Sequence, residues 1–306
     1  MRFSPREARE TDYRIRATWA DGALRAVAVI TTEAARAAQR VHRASPVAAA
    51  AMGRALSAAA LLGADVKEAF RLEVQLDGDG PLGLVAAEIR QVGGEQWVRA
   101  RVQHPEVDLP LRSDGKLAVG QAIGRQGAFR VWFEDAGGAR YQSEVPLVTG
   151  EIGEDLAHYY WQSVQVPSAV AVGVLVGTDG TVTASGGVVV QALPGSEAER
   201  EAVAERFLGL QHLSHRIAEG ATGEDLIRSV LPEPIHWLER EPLRFRCQCS
   251  RRRSLALLAH LPPEELQALA HEQHGAEVTC HYCRRRYRFS EAELEALWRE
   301  GANRSQ

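Results

Sequence analysis

The chain has 306 residues, of which 45% are hydrophobic and 25% are charged, and its formal net charge is −4 at pH 7. These proportions are typical of a soluble globular protein, and the length allows one large core with an additional small module. There is no apolar run of about 18 residues, which argues against a membrane-spanning helix. The slightly acidic balance excludes a basic surface spread over the whole chain, so nucleic acid is an unlikely partner.

The first 63 residues predict a β-hairpin followed by two helices. Residues 13–17 alternate between apolar and polar side chains, as a strand of a half-buried sheet does, and a second strand pattern over 24–30 follows the turn Asp21-Gly22. Helices are predicted over 32–42 and 45–63, and Ser45-Pro46 provides an N-cap and a first helical residue for the second. Nearly every residue of this second helix is small and apolar. We therefore expect it to be buried and closely approached by its neighbours.

Residues 70 to 191 are predicted to be mainly strands. The strand patterns cover 70–77, 82–90, 97–103, 129–134, 140–144, 169–176 and 181–191. A helix that begins at Thr149 as N-cap and includes Trp161 interrupts the series, and Asp179-Gly180 is a typical hairpin turn between the last two strands. We predict an α+β protein whose large N-terminal α/β domain, residues 1–194, has a mostly antiparallel sheet.

After Pro194-Gly195 the composition changes to that of a highly charged helix. Ser196 with Glu199 forms a capping-box pattern, and Thr222 with Asp225 three residues later marks a second helix start. An apolar stripe recurs at spacings of three and four residues, through Val203, Phe207, Leu210, Leu213 and Ile217. Prolines interrupt the rest, at positions 232, 234 and 242. We predict a helical linker arm over 195–245 that lies across the first domain and, because its apolar face is narrow, has low stability.

The four cysteines of the chain form two close pairs, Cys247-Gln248-Cys249 and Cys280-His281-Tyr282-Cys283. Four thiolates can surround one Zn²⁺ tetrahedrally at about 2.3 Å, and paired spacing is a strong indication of such a site. His281 is a weaker candidate, since four sulfurs already fill a tetrahedron. The first pair, with its one-residue spacer, can also close on itself after bending.

Other uses of the cysteines depend on the compartment. Residues 1–7 contain no apolar signal-peptide core, so we expect a cytoplasmic protein with reduced thiols rather than two structural disulfides. A thioredoxin-type couple would open a helix, whereas Cys283 is followed by the strand pattern 284–289. Inert buried thiols are the remaining alternative.

Arginines surround the cysteine pairs. Those within five residues of a cysteine are Arg244, Arg246, Arg251, Arg252, Arg253, Arg284, Arg285, Arg286 and Arg288. Nearby cations stabilise the thiolate, which is both the metal ligand and the form that peroxide oxidises. Alternatively, these arginines reflect a preference of the whole chain for arginine over lysine, since Lys67 and Lys116 are its only lysines. Both interpretations are open at this point.

The C-terminal module, residues 246–306, has little apolar content for its length. Helices are predicted at 254–260 and 263–273, strands around 280–289, and a last helix capped by Ser290 and Glu293. A structural zinc contributes about 10–16 kcal/mol, which matches or exceeds the whole stability of about 5–15 kcal/mol expected of such a domain. We therefore predict a small C-terminal zinc-binding domain that unfolds when its metal is removed.

Several longer motifs resemble those of the heat shock protein 33 family of bacterial redox-regulated chaperones, and the similarity spans nearly the whole chain. The motifs are Ser45-Pro46 with Met52-Gly53-Arg54-Ala55-Leu56, Gly78-Asp79-Gly80-Pro81-Leu82-Gly83, Gly150-Glu151-Ile152-Gly153-Glu154-Asp155-Leu156-Ala157, Gln165-Val166-Pro167-Ser168-Ala169-Val170, Gly186-Gly187 to Leu193-Pro194-Gly195, and the two cysteine pairs.

The resemblance implies an ATP-independent holdase and not an enzyme. In the reduced, inactive form, one Zn²⁺ per chain would be bound by Cys247, Cys249, Cys280 and Cys283. After oxidative stress the protein would be zinc-free, partly unfolded and dimeric, with disulfides joining Cys247 to Cys249 and Cys280 to Cys283. It would then bind unfolded client proteins, and hand-over to ATP-dependent chaperones is a further expectation. The predicted instability of the C-terminal module and of the arm explains how oxidation would expose apolar surface.

Two functions of other classes are weighed against this one. A zinc-ribbon nucleic-acid binder would use the arginines, but residues 244–306 hold 11 arginines against 8 glutamates, and a four-thiolate zinc site with charge −2 would leave about +1. A thiol-disulfide oxidoreductase would need an exposed cysteine of low pKa in a fold that stays intact. No Ser/His/Asp set or carboxylate pair can be placed together from the sequence, so we predict no catalytic site.

Overall fold

The computed structural model describes residues 12–66 and 70–304, and the chain divides into two units, Met1–Arg246 and Cys247–Gln306. The strands of the first unit are β1 (Tyr13–Trp19), β2 (Leu24–Ile30), β3 (Phe70–Gly78), β4 (Val85–Val92), β5 (Glu95–Val102), β6 (Gly127–Glu134), β7 (Arg140–Pro146), β8 (Ser168–Val176), β9 (Val182–Ala192) and β10 (His236–Phe245). Its helices are α1 (Thr32–His42), α2 (Pro46–Leu62), α3 (Val119–Ile123), α4 (Ile152–Tyr159), α5 (Glu197–Leu208), α6 (Leu213–Ala218) and α7 (Gly223–Val230). The second unit contains α8 (Arg251–Leu258), α9 (Pro263–His271), β11 (Gly275–Thr279), β12 (Arg286–Ser290) and α10 (Glu291–Arg304).

The ten strands of the first unit form one sheet in the order β7-β6-β3-β4-β5-β10-β1-β2-β9-β8. Every pairing in it is antiparallel except that of β10 with β5, which is parallel. The predicted α+β fold with a mostly antiparallel sheet is therefore confirmed.

Helix α2 is the centre of the main core. Ser45 caps it by accepting a hydrogen bond from the Ala48 N–H, with Pro46 in the first turn, as predicted. Small side chains let the helix lie close to the sheet: a Cβ at Gly53 would come within 2.7 Å of Val174 Cγ2. The helix packs with one face of β2, β3, β4, β5, β8 and β9. Among the described residues, no helix is long and apolar enough to cross a membrane.

Helix α4 starts three residues later than the predicted N-cap at Thr149. The buried Asp155 accepts hydrogen bonds from the N–H groups of Val148 and Thr149, which holds these residues in a turn before the helix. The helix continues as a π-helical turn over Tyr160–Val164 and stops before Pro167, as expected of proline.

Helices α5, α6 and α7 lie on the sheet face opposite α2 and form a second core with β1, β2 and β9. Of the predicted stripe, Val203, Leu210, Leu213 and Ile217 are buried, whereas Phe207 is only partly buried. The stripe was predicted on one helix, but a turn over residues 209–212 divides it between α5 and α6. Phe207 lies near the end of α5, just before this turn, and is less buried than the 3.6-residue period predicts.

Of the two predicted helix starts in this segment, only one has its capping box. Thr222 and Asp225 exchange the expected hydrogen bonds at α7, and the Tyr13 hydroxyl accepts a hydrogen bond from the Gly223 N–H at 2.8 Å. Ser196 makes no capping bond to α5, because its hydroxyl donates instead to the Leu193 carbonyl oxygen.

Residues 236–245 were predicted to belong to a helical arm, and this part of the prediction is wrong. They form β10, which lies between β1 and β5 and joins the two halves of the sheet. Arg14 Nε donates to Glu241 Oε2 at 2.6 Å, and Leu243 is buried in the main core. The strand fills a gap that only the folded sheet creates, which is why the local proline-rich pattern did not predict it.

The second unit is a hairpin of β11 and β12 with three helices. Its hydrophobic core is the buried cluster of Leu258, Leu266, Ala270, Phe289 and Leu294. So small a core gives about 60 residues little stability of their own.

Candidate metal centre

The four cysteines come from two segments of the second unit. Cys247 and Cys249 lie in the extended chain before α8, whose N-cap Ser250 accepts a hydrogen bond from the Arg253 N–H. Cys280 and Cys283 lie in the turn between β11 and β12. Hydrogen bonds between residues 280 and 285 close this turn, and Arg284 adopts the left-handed conformation with φ of 55°.

The four sulfur atoms form one group, with all ligand atoms within 4.8 Å of one another. Cys247 Sγ is 3.7 Å from Cys280 Sγ, and Cys249 Sγ is 3.2 Å from Cys283 Sγ. Tetrahedral Zn²⁺ with bonds of about 2.3 Å separates its sulfurs by about 3.8 Å. The cluster therefore has the size and the donor chemistry of a four-thiolate zinc site. None of the four is in a disulfide in this structure.

Tyr287 contacts the cluster from β12. Its hydroxyl donates a hydrogen bond to Cys249 Sγ at 3.2 Å. Burial by itself would raise the pKa of the Cys249 thiol, but the hydrogen bonds from Tyr287 and the other cysteines outweigh it and lower that pKa to about 7. Tyr287 was not predicted as part of the site; its position in the strand pattern after Cys283 was the available indication.

The surroundings of Cys283 shift its pKa in the direction opposite to that of Cys249. Burial raises its pKa, and the hydrogen bond with Cys249 and the charge of Cys247 raise it further. Neighbouring thiolates repel one another, so the four sulfurs cannot all ionise without a compensating cation. A bound dication would supply that charge.

Many of the arginines near the cysteines have acidic or backbone partners. Arg251 pairs with Glu293 at 2.6 Å, Arg288 with Glu277 at 2.9 Å, and Arg253 donates to the Gln248 carbonyl at 2.8 Å. Arg285 interacts electrostatically with Cys249 and Cys283. These contacts give the arginines structural uses within the unit, and they favour Arg285 as the one that stabilises thiolates.

His281 lies in the turn between Cys280 and Cys283, and its side chain is exposed. Within residues 12–66 and 70–304, the group of potential ligands around the cysteines contains the four sulfurs and not His281.

Comparisons with known proteins give one consistent result. The family described as "Hsp33 protein" matches residues 12–290. Curated proteins named "33 kDa chaperonin" from Staphylococcus aureus strains Newman and USA300 are 40% identical over 289 residues, covering 94% of this chain and 97% of theirs. The crystal structure of the 33 kDa chaperonin (heat shock protein 33 homolog) from Thermotoga maritima superposes with a TM-score of 0.86 and 34% identity, covering 95% of this chain and 99% of that one.

These names describe a chaperone and not an enzyme, as the sequence predicted. The matched region includes both cysteine pairs and nearly all of the first unit. The chain belongs to the Hsp33 family of chaperones.

Proposed function

We propose that this chaperone is an ATP-independent holdase of the cytoplasm that oxidation switches on. The single observation that carries the proposal is the cysteine cluster: four sulfurs within 4.8 Å of one another, in a unit with a very small apolar core. The same atoms can bind a stabilising metal and react with an oxidant. Loss of the metal and loss of the fold are thereby linked.

In the reduced form, Cys247, Cys249, Cys280 and Cys283 are the proposed ligands of one Zn²⁺. Bound zinc would neutralise thiolate charge and hold the segment before α8 against the turn between β11 and β12. Tyr287 orients Cys249 through its hydrogen bond, and the closed turn between residues 280 and 285 presents the second pair.

Oxidation would join Cys247 to Cys249 and Cys280 to Cys283. For each disulfide, two thiols give two electrons and two protons to one hydrogen peroxide molecule, which becomes two water molecules. The sulfur contacts of 3.7 and 3.2 Å each join cysteines of different pairs, but a disulfide between pairs would tie the two segments together. Disulfides within each pair leave the segments free to separate, which a switch that opens requires.

The proposed arrangement is a chaperone domain over 1–194, a linker over 195–245 and a redox-switch domain over 246–306, with the last part of the linker, residues 236–245, built into the sheet as β10. Helices α5 to α7 of the linker cover apolar residues of β1, β2 and β9, so their release would expose that surface to unfolded client proteins. The same apolar surface would support the homodimer proposed for the oxidised form, and hand-over of clients to ATP-dependent chaperones would follow.

The test is aggregation of a thermally unfolding client, with reduced and with peroxide-treated protein. Zinc release and disulfide mapping by mass spectrometry are followed in parallel. We expect suppression only after oxidation, with one zinc released per chain and disulfides within each pair. Suppression in both states would refute the redox switch, and suppression in neither would refute holdase activity. A protein that instead reduces or forms disulfides in clients while staying folded would be an oxidoreductase.

A further inference from the structure

A second group of metal-type donors lies in the C-terminal unit, where α9 and α10 meet. It consists of His271, Glu291 and Glu295, whose ligand atoms lie within 4.8 Å of one another, with His274 beside them. His271 ends α9, Glu291 begins α10, and Glu295 lies one turn further along α10. The buried Ala270 and Leu294 adjoin this group in sequence and belong to the small core of the unit.

The donor atoms already have near-ligand spacing. His271 Nδ1 is 3.2 Å from Glu291 Oε1 and 3.9 Å from Glu295 Oε1. His274 Nδ1 is 3.5 Å from Glu291 Oε2. In a tetrahedral site with metal–donor bonds of about 2.1 Å, donors are about 3.4 Å apart. Small side-chain movements would therefore suffice to place one ion among them.

The charge of this cluster and the type of its donor atoms determine which metal ion it would bind. With neutral imidazoles, the form that binds a metal ion, the four side chains carry the two negative charges of the glutamates. Mixed imidazole and carboxylate donors suit Zn²⁺, Co²⁺ or Ni²⁺, whereas Ca²⁺ and Mg²⁺ prefer sites built from oxygen. Arg299 donates to Glu295 Oε2 at 3.3 Å, which leaves Oε1 directed toward His271.

We infer that His271, Glu291 and Glu295 form a second site for a divalent transition-metal ion, separate from the cysteines, which His274 adjoins through its contact with Glu291. The inference rests on the close approach of the C-terminal end of α9 to the first turn of α10. A metal there would link the two helices across the core of the unit. Imidazole and carboxylate are outside the oxidation chemistry of cysteine and methionine, so peroxide would not act on these ligands directly.

The experiment is a Zn²⁺ titration of the full-length, tag-free, reduced protein that already holds one zinc, followed by calorimetry near pH 7.5. We expect a second equivalent to bind. His271→Gln and Glu295→Gln should each weaken that second equivalent at least about 10-fold, as losing one ligand does, equal to about 1.4 kcal/mol. Glu272→Gln is the matched control, since Glu272 is exposed beside His271 and lies outside the cluster; it should bind as the parent does.

A parent that binds no second equivalent would overturn the inference and leave only histidine–glutamate ion pairs. Equal binding by all four proteins would overturn it as well, because the second zinc would then lie elsewhere. Imidazole NMR signals of the parent provide a readout that does not depend on variants. Those of His271 and His274 should shift with the second equivalent, and unchanged signals would contradict the site.

Discussion

Cys249 differs from the other cysteines because a phenol lies beside its sulfur. Tyr287 Oη is 3.2 Å from Cys249 Sγ, and Arg285 interacts electrostatically with both residues. Groups that hydrogen-bond to a metal ligand fix its orientation and tune its basicity. Tyr287 is therefore positioned to influence metal affinity without binding the metal itself.

Tyr287→Phe removes this donor and keeps the aromatic ring. We expect the affinity for zinc to fall by about 10-fold, the low end of the range for partners of metal ligands. The measurement is transfer of zinc from the reduced protein to a chromophoric chelator. Tyr141→Phe on β7, where Tyr141 is 60% exposed, serves as control and should transfer zinc as the parent does. Equal transfer by Tyr287→Phe would show that the tyrosine only packs.

At the scale of single residues, the grouping of the four cysteines could be predicted from the sequence, whereas the contact of Tyr287 with Cys249 could not. The grouping of four cysteines followed from their spacing, because two close pairs have few arrangements around one metal. Tyr287 reaches Cys249 through the register of the hairpin, in which Tyr287 pairs with Val278. That register, and the position of Cys249 beside it, depend on contacts between residues distant in sequence.

Helix α6 is held on the sheet by glycines that leave room for it. A Cβ at Gly173 on β8 would come within 3.2 Å of Ser214 Cβ and 3.5 Å of Leu213 Cδ2. A Cβ at Gly186 on β9 would meet both Ile217 Cδ1 and the Val29 carbonyl oxygen. Gly173 is the better site for a test, because its added atoms meet the helix.

Gly173→Val should loosen α6 while it keeps β8, since valine favours strands. Overpacking of this kind costs about 1–3 kcal/mol, and lifting α6 relieves it. We expect the reduced, zinc-bound variant to bind clients without oxidant. Gly173→Ala, with one added carbon, should show a smaller effect in the same aggregation measurement. If the valine variant behaves like the reduced parent, α6 is not part of the switch.

The linker could be predicted only in part from the sequence. The period of the apolar stripe identified residues that are buried, such as Leu213, because helical periodicity is a local property. It overestimated the burial of Phe207, which is only partly buried near the end of α5, and it did not predict the break between α5 and α6. Strand β10 was missed because its pairing with β1 and β5 joins residues more than 140 positions apart.

The position of β10 predicts that the linker does not open as one piece. Helices α5 to α7 cover one face of the sheet, whereas β10 has strands on both sides and contributes Leu243 to the main core. Hydrogen exchange after peroxide treatment should show early loss of protection over 197–230 and retained protection over 236–245. Early exchange in β10 would mean that the whole sheet divides when the protein is oxidised.

The two units differ in what stabilises them. The first has two apolar cores, around α2 and beneath α5 to α7. The second has one core of five buried side chains and the cysteine cluster. The stability of the second unit should therefore depend on its metal, whereas that of the first should not.

Chelation of zinc from the reduced protein should unfold the second unit alone. A structural zinc site supplies about 10–16 kcal/mol, comparable with the whole stability of a small domain, about 5–15 kcal/mol, and the four crowded thiolates repel one another once the cation has gone. Limited proteolysis of the chelated, reduced protein should cut first within 247–304, and added Zn²⁺ should restore resistance. Cys280→Ser combined with Cys283→Ser should show the same cuts without chelator, because only two sulfur ligands remain. Resistance of 247–304 after complete metal removal would show that its apolar core suffices, and loss of metal could not then be the event that opens the chaperone.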